Sequence, residues 1–155
     1  QQIFSLGVML TRVMEAQAMG GTDREVAWLA RGMAYLIGTQ RLGEEGFGSM
    51  EDYRRTWYSV LEENGRFPDA SSLVTPTSYE QAVASFGDES CSIIAELTAD
   101  DLVTSHGWQS FAKWQRAAAL ADGDGEKAFR SVYGTSASSF ASSATSRLMR
   151  EMYTR

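Results

Sequence analysis

Apolar residues recur along this chain at helical spacing, and polar capping residues punctuate them. The pattern predicts a first helix over about residues 2–19, stopped by Gly20-Gly21. Thr22 followed by Glu25 has the form of a capping box, in which the Thr side chain accepts from a free backbone amide and the Glu reaches back. A second helix follows to about Ile37, with Val26, Leu29, Ala30, Met33 and Ile37 on one face. Ser49 with Asp52 opens a third. It carries Tyr53, Trp57, Val60 and Leu61 and ends at Asn64-Gly65.

The only two prolines, Pro68 and Pro76, mark a loop at about 64–78. Beyond it, Thr77 with Glu80 predicts a short helix ending near Gly87. Another is expected over about 89–97, and Thr98 with Asp101 reads as a further capping box. A helix over about 107–121 carries Trp108, Phe111, Trp114 and Ala118, and Asp122-Gly123-Asp124-Gly125 breaks it. A short helix over about 126–132 leads to Gly134. In the last, over about 138–153, Phe140, Ala144, Leu148 and Met152 stand four residues apart. Leu73-Val74 is the sole strand candidate. The expected fold is all-α, a single-domain bundle of about six to nine helices of unequal length. Its helical halves, 1–65 and 77–155, are joined by the 66–76 loop.

The 155 residues suit one domain with a sizeable core, and a 43% hydrophobic content is ordinary for one. No apolar run approaches the ~18 residues of a bilayer-spanning helix. The chain opens on Gln1 rather than Met, so a leader-processed, exported chain and a piece of a longer one are equal alternatives. The compartment is left unassigned.

Charge sharpens the picture, because it is sorted. Residues 1–66 carry seven Arg against nine acids. Residues 67–112 carry no base and seven acids: Asp69, Glu80, Asp88, Glu89, Glu96, Asp100 and Asp101. Residues 113–155 carry seven bases against four acids. Sorted charge acts on association and partners. Glu80 and Asp101 fit capping positions, whereas Asp69, Asp88, Glu89, Glu96 and Asp100 have no local role. These five are the candidate acidic surface, and Arg147, Arg150 and Arg155 on the last helix are its candidate basic counterpart.

Catalytic equipment is sparse. Cys91 and His106 are the only residues of their kinds, which excludes an internal disulfide and the common zinc sets. Placed on different predicted helices, they are free to meet as nucleophile and base, but a core thiol and a helix-terminal His are the plainer reading. Asp122-Gly-Asp124-Gly-Glu126 begins like a calcium loop, yet Lys127 and Tyr133 stand where the motif needs Gly and Glu. No cofactor is expected. Residues 43–48, Gly-Glu-Glu-Gly-Phe-Gly, lack the Lys-Ser/Thr of a phosphate loop. Acids around 44–52 are the one constellation suited to carboxylate-dependent hydrolysis.

Arg66-Phe67-Pro68-Asp69, Gly134-Thr135-Ser136 and the run Ser138-Ser139-Phe140-Ala141-Ser142-Ser143 faintly resemble tobamovirus-type coat proteins, helical subunits of similar length. The likeness covers fewer than 20 residues. The paired Arg that such coats turn toward RNA has no counterpart in 67–112. The resemblance carries no functional expectation.

The sequence leaves enzyme or non-enzyme undecided and leans to the second. It favours a helical protein–protein interaction module, either a subunit of a larger assembly or an inhibitor- or immunity-type binder. Such a module would use its acidic centre against a basic protein surface or another copy of itself. Nucleic acid is disfavoured by the charge, and the alternative is a small carboxylate-dependent hydrolase using the acids around 44–52, with a polysaccharide as its candidate substrate. An anionic mimic of nucleic acid would require the seven central acids to share one face.

Overall fold

The computed structural model describes residues 26–154. They form seven α-helices and one short 3-10 helix, with no strand among them. The helices are α1 (Ala27–Glu44), α2 (Met50–Asn64), α3 (Pro76–Phe86), α4 (Asp88–His106), α5 (Trp108–Leu120), α6 (Gly125–Tyr133) and α7 (Ala137–Tyr153). The 3-10 helix covers Ala70–Leu73. The predicted first helix, the Thr22–Glu25 cap and Arg155 lie outside the described residues.

The all-α expectation holds. Ser49 and Asp52 form a reciprocal capping box, and Gly65 ends α2 in the left-handed conformation that glycine adopts without a Cβ penalty. Phe140, Ala144, Leu148 and Met152 all turn into the core from α7. The Asp122–Gly125 break sits where expected, and Asp124 caps α6 by accepting from the Lys127 amide at 2.8 Å.

Three expectations are corrected. The cap of α3 is Thr75 with Ser78, and Pro76 fills the first helical position, where its missing N–H costs nothing. Helix α1 runs past Ile37 to Glu44. The predicted helix over 89–97 and the capping box expected at Thr98–Asp101 lie within a single 19-residue helix, α4. Thr98 is inside it, buried, and donates back to the Ile94 carbonyl at 2.7 Å instead of capping.

Helix α4 is the hub. It is buried on nearly every side between Ser90 and Leu102, as is α1 between Ala27 and Thr39, and the two share the largest helix–helix interface. Small residues let them approach closely. A Cβ on Gly32 would fall inside the contact radius of the Ala95 carbonyl and within 3.0 Å of Ala99 Cβ.

The Pro-bounded segment is no loose linker. Ala70 and Leu73 are fully buried, and the Ala70 amide donates to Thr145 Oγ1 of α7 at 2.9 Å. The Ala27 amide donates to the Val74 carbonyl at 2.8 Å, tying the start of α1 to the same segment. One buried cluster runs from Val26 to Met152 across both predicted halves.

Candidate functional site

The five candidate acids separate once α4 is continuous. Glu96 and Asp100 are one turn apart on its inner flank. Glu96 is 5% exposed and accepts from Thr39 Oγ1 of α1 at 2.6 Å. Burial pushes its pKa up to about 8, assisted by the Asp100 charge and opposed by the Thr39 bond. Asp100 is partly buried and pairs with Arg54 of α2, whose Nε donates at 2.6 Å. Its pKa is also raised, first by burial, against the Arg54 charge.

Asp101, the supposed capping residue, is instead held by Arg147 of α7. The guanidinium donates through Nε at 3.2 Å and its terminal nitrogen at 2.5 Å, one to each carboxylate oxygen. Glu151 of α7 accepts from the Tyr58 hydroxyl of α2 at 3.0 Å. The polar side chains on this flank of α4 therefore join α1, α2, α4 and α7.

This corrects two expectations. Glu96 is interior, so it takes no part in an acidic surface, and Asp100 is committed to Arg54. With Glu96 buried and Asp100 and Asp101 held by arginines, the seven central acids do not form the one exposed anionic face that a nucleic-acid mimic requires. Of the candidate bases, Arg147 is spent on Asp101 and Arg150 is exposed.

Asp69, Asp88 and Glu89 remain at the surface. Asp69 has a local role after all, since its carboxylate accepts from the Ser71 amide at 2.8 Å and caps the 3-10 helix. Asp88 and Glu89 occupy the first turn of α4, where the helix dipole favours negative charge. Neither carries an ion pair among the described residues. Asn64 Nδ2 donates to Ser90 Oγ at 3.2 Å, so the exposed Glu62 and Glu63 at the end of α2 lie near this turn.

Between these helix ends lies a shallow depression of about 350 Å³, lined by Asn64, Arg66, Phe86, Gly87, Asp88 and Glu89 among others. Arg66 is exposed, donating to the Ser85 carbonyl at 2.7 Å with its guanidinium 5.6 Å from the Phe86 ring centre. The corner thus presents two carboxylates, Asp88 and Glu89, and one partly engaged arginine.

The other chemical candidates are absorbed by structure. Cys91 and His106 stand at opposite ends of the same helix, about 22 Å apart at 1.5 Å per residue. The thiol is buried, with its pKa raised to about 11 chiefly by desolvation. His106 packs edge-on against Tyr133, with ring centres 5.1 Å apart. Glu126 pairs with Arg130 and accepts from the Ala137 amide at 3.1 Å, so the calcium-like run works as a helix junction. Among the described residues no group of three His, Cys, Asp or Glu is arranged to hold a metal ion.

In the 44–52 stretch, Glu44 pairs with Arg41, Glu51 and Asp52 lie beside Arg55, and Asp52 serves the Ser49 cap. Only Glu45 is without an ion pair among the described residues.

Sequence reasoning missed Thr39, Arg54, Tyr58 and Glu151. Their single signal was the charge sorting itself, which put acids mid-chain and arginines at both ends. No protein-family model, curated protein or solved structure matches this chain. No described helix is long and apolar enough to cross a membrane.

Proposed function

We propose that this chain is a non-enzymatic helical interaction module, a subunit of an assembly or an inhibitor- or immunity-type binder, whose acidic corner meets a basic protein surface. The observation that carries the reading is the contrast along α4. Asp100 and Asp101 are neutralised by Arg54 and Arg147, whereas Asp88 and Glu89 on the same helix are exposed and lack an ion pair among the described residues. Exposed carboxylates around a concave corner favour steering by a basic partner. The same charge disfavours phosphate and nucleic acid.

The test is capture from the native source at about 50 mM and about 500 mM salt, since screening weakens contacts between exposed charges. Asp88→Lys/Glu89→Lys serves as the paired bait. A protein retained at low salt, and lost both at high salt and by the variant, supports the reading. Capture that survives both changes, or no capture at all, overturns it.

A further inference from the structure

Helix α5 contains no acid. Its exposed side carries Lys113, Arg116 and Leu120 at i, i+3 and i+7, one face of a helix. Leu120 is 90% exposed and borders a groove, so its aliphatic side chain is free to enter a partner's surface. Beside it Ala117, Ala121, Lys127, Ala128 and Ser131 line a groove of about 250 Å³ between α5 and α6. Lys113, Arg116 and Lys127 carry no ion pair among the described residues. Two acids sit at the turn end of the groove, Asp122 and Asp124, and Asp124 is already engaged in capping α6. The face is therefore an apolar knob and groove flanked by three cations.

The chemistry it fits is an acidic, concave surface with room for an aliphatic side chain. The chain itself offers one at the junction of α2, α3 and α4, where Asp88 and Glu89 line the 350 Å³ depression together with Gly87, Phe86 and Arg66, the last already donating to the Ser85 carbonyl. We infer that the α5/α6 face docks on the acidic corner of a second copy of this chain, with Leu120 entering the depression and the cations facing the carboxylates. The inference rests on the reading of that corner as a partner surface and names the partner. The two surfaces are different patches of the molecule, so the contact is heterologous. It leaves one acidic corner and one basic face open at the ends, and growth continues until a ring closes or a filament forms.

Sedimentation velocity on the full chain tests this. Wild type at about 50 mM salt should show a weight-average mass at least about twice that of the monomer, falling toward the monomer at about 500 mM. Asp88→Lys/Glu89→Lys alone should be monomeric, as should Lys113→Glu/Arg116→Glu/Lys127→Glu alone. Mixed, the two variants should reassociate, because each then offers the charge the other's surface needs. Leu120→Ser tests the knob without touching charge and should also give a monomer. Circular dichroism melts matched to wild type establish that each variant is folded.

A wild-type monomer at all salts overturns the inference. So does a mixture that fails to reassociate while both variants are folded. A monomer that Leu120→Ser destabilises overturns it too, because Leu120 is then packed within its own chain. If the chain is monomeric but the Asp88/Glu89-dependent capture persists, this inference fails and the reading of the corner stands. If both are lost, both fail.

Discussion

At the scale of single residues, the interface between α1 and α4 rests on what Gly32 lacks. Its neighbour is a backbone carbonyl, that of Ala95, which cannot swing aside as a side-chain tip does. Gly32→Ala should therefore cost about 2 kcal/mol or more despite its better helix propensity, through forced separation of the two helices. Urea denaturation reads this, and a midpoint equal to wild type would refute it. Glu96 gives a second prediction. A carboxyl whose folded pKa, about 8, exceeds its ordinary 4.5 holds its proton longer in the folded state. The folded state then binds more protons than the unfolded one, so stability falls as pH rises between those values and levels off above them. The slope approaches roughly 1.4 kcal/mol per pH unit at most. Asp100, also raised, acts in the same direction. Glu96→Gln keeps an acceptor for Thr39 and removes most of the slope. Thermal melts at pH about 5 and about 8 should lie far apart for wild type and close together for the variant.

At the scale of elements, the cap of α2 was legible and the length of α4 was not. Ser49 with Asp52 reads locally because both bonds of the box lie within four residues. Thr98 with Asp101 has the same form but serves nothing local. Arg147, 46 residues onward, holds Asp101, and Thr98 bonds within its own helix. A capping motif inside an apolar run is ambiguous until long-range partners are known, and periodicity carries no record of them. The five unexplained acids show the same limit: exposure was legible for Asp88 and Glu89, but the fates of Glu96 and Asp100 depended on Thr39 and Arg54. The Arg54–Asp100 bridge is the element-scale test. Asp100 keeps 13% of its side-chain surface and Arg54 keeps 34%, so solvent softens the loss. Arg54→Ala should cost about 1–3 kcal/mol by stranding a carboxylate beside Asp101 and Glu151. Adding Asp100→Asn should recover part of that. A double-mutant cycle in urea measures the coupling, and additive losses would show the bridge to be inert.

At the scale of the whole molecule, the charge sorting has largely an internal explanation. The acid-only stretch contains the hub helix, and the base-bearing ends supply the Arg54 and Arg147 that neutralise its inner acids. What is left over lies at two separate places, the acidic corner and the basic α5/α6 face. Exposed charges spaced this way leave overall stability nearly unmoved by salt, while association responds to it. Wild-type thermal melts at about 50 mM and about 500 mM salt should shift much less than sedimentation does. A large melting shift would place the dominant salt-sensitive contacts inside the fold. The chain's only two lysines, Lys113 and Lys127, both stand exposed on the α5/α6 side. Apart from the chain's amino terminus, an amine-reactive dye, cross-linker or sensor chip can therefore grip the molecule only there. A protein anchored by its lysines would hide that face and present the corner of Asp88 and Glu89 to the solution, an orientation set by chemistry before any partner is added.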